Sequence, residues 1–288
     1  MRLISKGLRA LLNRNHTPVA APVEQEGLFN ARGVGLRDAV MSGWYLQASD
    51  ELFKGFRISR DDVVLDVGCG DGGNAHFCAM RGAHIIFADV DPIQVEATRR
   101  RLAETPARGL TPIVGDSNPL PLSDGAASKI IASEVMEHVD DPGQFLQELV
   151  RVGRSGAQYL LTVPDPVAET LQHDLAPATF FAKPPNPAFT ISGLCPGHIR
   201  TFQRDEFAKL VESAGLVVEQ HAFYGFYWAI WFALFWTCGV DFSAAQHPVL
   251  DNWGRAWDAL LDTPGGLQVK RRLDQFMPKS QLIIARKP

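Results

Sequence analysis

Short apolar runs recur along the middle of the chain, and each is followed within two residues by a polar residue or glycine. The runs cover residues 63–65, 84–88, 111–114, 129–132 and 158–163. Helical patterns lie between or after them: one continues through Arg81, one covers 142–152, and a later one covers 204–214. Strands that alternate with helices in this way are typical of α/β domains. The pattern therefore predicts an α/β core.

A different pattern covers residues 222–240, which contain no charged side chain. Nine aromatic residues fall within it: Phe223, Tyr224, Phe226, Tyr227, Trp228, Trp231, Phe232, Phe235 and Trp236. A helix of 19 residues is about 28 Å long, close to the minimum for crossing a bilayer. Tyr and Trp prefer the headgroup region, which favours a helix dipping into one leaflet over a crossing. A buried dimer interface or a pocket wall explains the same residues.

The amino-terminal residues 1–15 place leucines and basic side chains on different faces of a helix. Such a helix binds an anionic membrane surface, or packs on its own domain or on a second copy of the chain. The segment lacks the apolar core of a secretory signal, and residues 16–24 have the composition of a linker. Together with the aromatic stretch, it favours peripheral binding at the inner face of the cytoplasmic membrane.

Composition narrows the function classes. The 288 residues are 46 % hydrophobic and 21 % charged, which is globular usage. The formal net charge of −4 does not suit a general nucleic-acid binder. The four cysteines are scattered, without a metal-binding pair or a disulfide framework, so we expect a reducing, cytoplasmic compartment.

The strand at 63–65 leads to Asp66 and then to a glycine-rich turn at residues 68–73. Glycines there let a ligand approach backbone N–H groups at the start of a helix. Asp89 ends the next strand, 19 positions beyond Gly70, where a carboxylate can accept both hydroxyls of a ribose. A dinucleotide and an adenosyl cofactor both fit this arrangement.

Four motifs then occur in order: V-L-D-x-G-C-G-x-G from Val64, Asp91-Pro92 after the second strand, G-D-x-x-x-L-P from Gly115, and S-E-V-x-E-H-V from Ser133. In this the chain resembles the class I S-adenosylmethionine-dependent methyltransferases. The resemblance implies a Rossmann-like, doubly wound, seven-stranded sheet, mostly parallel with an antiparallel last strand. Its last two strands would be 216–222 and 281–286, with an aromatic-rich helical insertion between them where the minimal family has a hairpin.

The resemblance also implies a binding site for S-adenosylmethionine. Asp66, Gly68 and Gly70 would border the methionine part, and Asp89 would hold the ribose. Val90, Asp116 and Ser117 would lie at the adenine, and Glu134 would line the cofactor pocket. The chain departs from the family pattern at Asp91, where Ser is frequent, and at Ser128, where Asp is frequent.

The catalytic prediction concerns His138 and His198, either of which could remove a proton from the acceptor. Similar E-x-x-E-H segments bind a divalent metal in some relatives, so Glu134, Glu137 and the two histidines are an alternative metal site. We predict no metal. His198 opens an H-x-R-x-F segment, and residues 165–200, rich in proline and phenylalanine, are predicted to form a lid over the pocket.

The predicted function is O-methylation of a lipid-linked glycan or another membrane-associated hydroxyl acceptor, because the chain is similar to methyltransferases of bacterial surface-polysaccharide assembly. No nucleic-acid partner is expected, and a homodimer is compatible with the aromatic stretch. The alternatives are a quinone or small-molecule methyltransferase, an NAD-dependent oxidoreductase, and a non-catalytic membrane-docked scaffold. The predicted organisation is an arm and linker at 1–24, a core at 25–222, an insertion at 223–279 and a last strand at 280–288.

Overall fold

The computed structural model describes residues 30–116, 119–176, 198–240 and 247–288. The predicted amino-terminal arm, Ser117 and almost all of the proline-rich part of the predicted lid lie outside these residues. Within the described residues the chain forms two units, each built from separate stretches of sequence. The sheet unit comprises 43–166, 199–223 and 280–288, and the helical unit comprises 30–42, 167–198 and 224–279. The helical unit thus draws on parts of what the sequence suggests are core, lid and insertion.

Numbered along the whole chain, the strands are β1 (Trp44–Leu46), β2 (Glu51–Phe53), β3 (Phe56–Arg57), β4 (Val63–Val67), β5 (His84–Asp89), β6 (Gly109–Val114), β7 (Ala127–Ser133), β8 (Gly153–Pro164), β9 (Val217–Tyr224) and β10 (Ser280–Arg286). The helices are α1 (Ala31–Ser42), α2 (Gly73–Ala79), α3 (Pro92–Leu102), α4 (Pro142–Val152), α5 (Pro166–Leu175), α6 (Arg204–Ser213), α7 (Phe226–Thr237), α8 (Pro248–Leu261) and α9 (Gly266–Phe276). A short 3-10 turn covers Met136–His138.

Seven strands of the sheet unit form one sheet in the order β6-β5-β4-β7-β8-β10-β9. The pairs β5–β6, β4–β5, β4–β7 and β7–β8 are parallel, and β10 is antiparallel to β8. The predicted doubly wound, mostly parallel sheet with an antiparallel last strand is therefore confirmed. The register pairs Val67 with both Ala88 and Ala132, so the loops after β4, β5 and β7 leave the same edge of the sheet.

The central strands are buried on both faces, as a parallel sheet covered by helices requires. Val64, Ile85, Ile130 and Leu160 have no solvent exposure. A second, three-stranded sheet of β1, β2 and β3 precedes the main sheet, and the sequence analysis did not predict it. Its strands are only two or three residues long, too short to show a periodic pattern.

The aromatic stretch forms helix α7, which is the centre of the helical unit. Tyr227, Trp231 and Phe235 are buried there with Leu250 and Trp257. The Tyr227 hydroxyl donates to the carbonyl oxygen of Ala31 at 3.1 Å. A 12-residue helix is about 18 Å long, and no helix among the described residues is both long and apolar enough to span a bilayer. In the helical unit, the aromatic side chains therefore serve as core.

A buried ionic cluster lies in the same unit. The Lys270 ammonium has no solvent exposure and lies 2.9 Å from Asp38 Oδ1 and 2.6 Å from Asp274 Oδ2. The Trp257 indole N–H donates to Asp38, and the Phe226 backbone N–H donates to Asp274. Burial raises the pKa of Asp38, while the charge of Lys270 opposes that rise. The cluster links α1, α7, α8 and α9 through charge-assisted hydrogen bonds.

Candidate cofactor and catalytic site

The glycine loop after β4 is shaped by close contacts that only glycine allows. Gly68 has a φ of +67°, and a Cβ on it would lie 2.4 Å from Cγ2 of Val135. The carbonyl oxygen of Gly70 accepts a 3.0 Å hydrogen bond from the Thr98 hydroxyl. The loop is thus held between the residues after β7 and helix α3, with its backbone at the edge of the sheet.

Asp89 connects this loop to the end of β5. Its Oδ2 accepts the Gly70 N–H at 3.0 Å, and its Oδ1 accepts the Asp91 N–H at 2.9 Å. The carboxylate is 8 % exposed and retains unused acceptor positions, since each oxygen has two lone pairs. Asp91 is the N-cap of α3, which explains why an acidic residue replaces Ser there without disturbing the helix start.

Asp66, near the end of β4, is the most unusual carboxylate beside the loop. It is 2 % exposed, and its Oδ2 accepts no hydrogen bond from the described residues. Burial raises the pKa of Asp66 to about 7; a backbone hydrogen bond from Ala75 opposes the rise, and the charges of Asp89 and Asp71 add to it. A cationic ligand group would favour the ionised form and fill the unused acceptor. Asp66 therefore suits a ligand that carries a positive charge.

Two exposed apolar side chains lie at the predicted adenine end. Val90, directly after Asp89, is 55 % exposed. Val114 is also exposed, and its Cα is paired with that of Asp89 in the sheet register. Asp116 follows two residues later. Val114 was not predicted as a site residue, although an exposed apolar side chain at a strand end beside a binding loop is a usable signal.

Glu134 sits at the end of β7 with a φ of +56°, a strained value for a residue with a side chain. Its N–H donates to the Thr162 carbonyl at 3.0 Å, and the Thr162 hydroxyl donates to Glu134 Oε1 at 3.0 Å. These contacts hold the residue in the strained conformation at the same sheet edge as Asp66 and Asp89.

These features fit an adenosyl cofactor with a charged amino-acid end. The Asp89 carboxylate offers acceptors for a ribose, and the Asp66 carboxylate offers one for a cation. The glycine backbone allows close approach, and the apolar Val90 offers a contact surface for a flat base. Asp66 and Asp89 lie at the carboxyl ends of β4 and β5, and the loops after β4, β5, β6 and β7 hold the other predicted residues that the structure describes: Gly68, Gly70, Val90, Asp116 and Glu134. Their roles toward a bound cofactor remain predictions.

The two predicted catalytic histidines fall in different units. In the sheet unit, His138 is on the 3-10 turn, with Nε2 3.9 Å from Oε1 of the buried Glu137. The Ile199 N–H donates to the Glu137 carbonyl, and the Arg200 guanidinium donates to the Asp140 carbonyl at 2.7 Å. Part of the H-x-R-x-F segment is therefore bound to the turn that carries His138.

In the helical unit, His198 has a partner that the sequence did not reveal. Its Nδ1 lies 2.7 Å from Oε1 of Glu169, a residue of α5 that is 3 % exposed. Because a carboxylate accepts hydrogen bonds, Nδ1 is the nitrogen that donates in this contact. A carboxylate that orients an imidazole in this way is a feature of histidine general bases.

Comparison with known proteins identifies the domain. Residues 65–161 match the methyltransferase domain family. Among curated proteins, a probable S-adenosylmethionine-dependent methyltransferase of Mycolicibacterium smegmatis is 30 % identical over 156 residues, which are 54 % of this chain and 52 % of that protein. Methyltransferase GfsG of Streptomyces halstedii is 31 % identical over 175 residues, 58 % of this chain and 57 % of its own. The chain thus spans little more than half the length of these relatives.

A smaller match joins the chain to tocopherol O-methyltransferase of Arabidopsis thaliana, 33 % identical over 100 residues, 34 % of this chain and 29 % of that protein. Solved structures share the fold at low identity. One is a Bacillus halodurans C-125 protein assigned to the methyltransferases, with TM-score 0.51, 17 % identity and coverage of 85 % and 97 %. Another is the cyclase SpnF, with TM-score 0.54, 17 % identity and coverage of 99 % and 93 %. Residues 65–161 thus form a methyltransferase domain of the S-adenosylmethionine-dependent kind, and S-adenosylmethionine is the cofactor that such a domain implies.

Proposed function

We propose that this protein catalyses methyl transfer from S-adenosylmethionine to a hydroxyl group of a glycan or another membrane-associated acceptor. The observation that carries the methyl-transfer part is the link between the glycine loop and Asp89, in a domain whose family uses this cofactor. When bound, S-adenosylmethionine supplies a methyl group already activated by a positively charged sulfur. The protein then has to orient the acceptor and accept its proton.

The hydrogen-bonded pair of His198 and Glu169 supports a hydroxyl acceptor. A hydroxyl must lose its proton as the new bond to carbon forms, and an imidazole oriented by a carboxylate can take that proton. The buried Glu169 carboxylate then stabilises the imidazolium through the 2.7 Å contact at Nδ1. His138, on the turn after β7, is the second candidate base.

The membrane-associated acceptor rests on the amino-terminal pattern of residues 1–15, which lie outside the described residues. Helix α7, the other segment considered for membrane binding, has most of its aromatic side chains buried in the helical unit. The expected binding is therefore electrostatic. Co-sedimentation with anionic and neutral vesicles tests it: deletion of residues 1–15 should abolish binding to anionic vesicles at low salt, whereas Trp228→Ser should leave it unchanged. An intact protein that stays in the supernatant with anionic vesicles removes the membrane from the proposal.

The acceptor is tested by transfer of labelled methyl groups from S-adenosylmethionine to three acceptor sets: a lipid-linked sugar extract, free sugars, and phenols such as a quinol or tocopherol. We expect a base-stable, organic-soluble product from the first set, because a methyl ether resists hydrolysis. Labelling of the phenols alone would instead establish a small-molecule methyltransferase, the second candidate that the tocopherol relative favours.

Two further outcomes separate the remaining alternatives. Binding of S-adenosylhomocysteine, the demethylated product, without turnover on any set would favour a non-catalytic scaffold. If EDTA abolishes turnover and Mn²⁺ restores it, the reaction is metal-dependent, with the metal orienting the acceptor hydroxyl.

A further inference from the structure

Tyr45 has a backbone conformation that its residue type disfavours. Its φ is +53°, in the left-handed region that a bulky side chain rarely adopts. Such a conformation is unfavourable and persists only where the surroundings impose it. Here the neighbouring Trp44 is paired with Phe53 in the small sheet, and Gly43 accepts a hydrogen bond from Lys54. The small sheet thus fixes the backbone on both sides of Tyr45, because Leu46 is paired as well, with Glu51.

The Tyr45 side chain packs against helix α2, which begins at the end of the glycine loop. Its ring packs beside Phe77 of α2, with ring centroids 5.8 Å apart. Its hydroxyl donates a hydrogen bond to Oδ1 of Asn74, in the first turn of α2, at 3.1 Å. The donated proton is therefore in use within the protein. The lone pairs of the hydroxyl oxygen are left as acceptors toward a ligand.

The surroundings of this oxygen are acidic. Burial raises the pKa of Tyr45 to about 12, and the negative charges of Asp71 and Asp66 contribute to the rise. Asp71 is partly neutralised by Arg101, whose Nη1 lies 3.1 Å from its Oδ2. Asp66 has no such cation among the described residues and keeps an unfilled oxygen. An anionic ligand group would be repelled at this position, whereas an ammonium group would be attracted.

We propose that Tyr45 binds the amino-acid end of S-adenosylmethionine, with its hydroxyl oxygen accepting a hydrogen bond from the α-ammonium group. The proposal rests on the cofactor assignment and adds to it a residue from outside the motifs of the family. Asn74 is the positioning residue, because its Oδ1 accepts the hydrogen bond from the Tyr45 hydroxyl and so fixes which side of the hydroxyl oxygen faces the ligand.

The test compares two ligands by calorimetry with the full chain. S-adenosylhomocysteine has the amino-acid end, and 5′-methylthioadenosine has the same adenosine and sulfur without it. For Tyr45→Phe we expect a roughly tenfold to hundredfold weaker affinity for S-adenosylhomocysteine, as for a lost hydrogen bond to a charged group, and less than a twofold change for methylthioadenosine. Asn74→Ala should give a smaller loss with the same selectivity.

Tyr159→Phe is the matched control, because it also removes a tyrosine hydroxyl from the sheet unit, one that donates to the Leu149 carbonyl. It should change neither affinity. Unchanged affinity of Tyr45→Phe for S-adenosylhomocysteine overturns the proposal, and so does an equal loss for both ligands, which would indicate a distorted loop. Failure of the proposed function is distinct: it appears as normal binding by the unaltered protein without methyl transfer. No binding by the unaltered protein overturns the cofactor assignment together with this proposal.

Discussion

The carboxylate of Asp89 accepts the backbone N–H of Gly70, so the predicted ribose-binding acid and the glycine loop form one hydrogen-bonded structure. Loss of this carboxylate removes a ligand contact and a loop contact together. Asp89→Ala should therefore weaken S-adenosylhomocysteine binding by at least the ~1.5–3 kcal/mol of one charge-assisted hydrogen bond.

Calorimetry of Asp89→Ala measures this loss, and Asp91→Ser is its control. Asp91 lies two residues away and caps helix α3 through the Ile93 N–H, and serine can keep that cap. We expect near-normal affinity for Asp91→Ser. Equal affinities of the two variants would exclude Asp89 from the cofactor site.

The raised pKa of Asp66 predicts that the stability of the fold depends on pH. In the unfolded chain an aspartate ionises near pH 3.8, whereas in the fold the Asp66 pKa is about 7. Between these values the folded state holds the proton more tightly, so this residue's contribution to stability falls as pH rises toward 7. Asp66→Asn removes that dependence. In the absence of cofactor, the free energy of unfolding of the variant minus that of the unaltered protein should increase by about 2–3 kcal/mol from pH 5 to pH 8.

Urea unfolding of both proteins at the two pH values measures the difference. The same substitution should weaken S-adenosylhomocysteine binding, because the anion that favours a cationic ligand is lost. A stability gain that is the same at pH 5 and pH 8 would show that Asp66 titrates normally in the fold.

The pair of His198 and Glu169 predicts separate effects on turnover and on cofactor affinity. His198→Ala should lower kcat by about 10²- to 10⁴-fold, as loss of a general base does, with little change in the affinity for S-adenosylhomocysteine. Glu169→Gln should lower kcat by a smaller factor, because an amide can hold the ring but cannot stabilise the imidazolium.

His173→Ala is the control for this pair. His173 lies on the same helix as Glu169, and its Nδ1 is 3.6 Å from Oδ1 of Asp174, an exposed acid. The control should retain full turnover. Full turnover of His198→Ala would indicate that His138 is the general base instead, and the turnover of His138→Ala tests that directly.

The buried cluster around Lys270 predicts an effect on stability alone. Lys270→Met leaves two buried carboxylates without their cation, which typically costs about 3–5 kcal/mol. Lys209→Met removes a lysine from the exposed pair with Asp205 and should leave stability nearly unchanged, because solvent screens such a pair.

Tryptophan fluorescence during thermal unfolding measures the effect of Lys270→Met, because five of the six tryptophans lie in the helical unit. A marked fall in the midpoint is expected. A midpoint equal to that of Lys209→Met would mean that the cluster is neutralised by protonation of its acids.

Much of the sheet unit could be predicted from the sequence because its strands are continuous apolar runs bounded by motif residues. The strand predicted at 129–132 is β7, Ala127–Ser133, and the helix predicted at 142–152 is α4, Pro142–Val152. The small sheet escaped prediction because its strands hold two or three residues. Tyr45 escaped with it, since a positive φ in a non-glycine residue has no sequence signature.

Other features needed three-dimensional contacts. Glu169 is 29 residues from His198 in sequence, and no periodic pattern connects them. The aromatic stretch was ambiguous for a different reason: a helix that is apolar all round suits a core and a lipid surface equally well. Packing of α7 against Leu250 and Trp257 decides its role within the helical unit, and hydropathy could not.

The position of β10 has a consequence for how the protein folds during synthesis. In the finished sheet β10 lies between β8 and β9, but the ribosome makes it more than 50 residues after β9. Until β10 emerges, β8 exposes an unpaired edge and β9 lacks the neighbour that joins it to the sheet. Pairing of Leu282 with Thr162 then closes a loop of 120 residues, which is slow and leaves the edge open to other chains. The nascent chain should therefore depend on chaperone protection until its last strand is available.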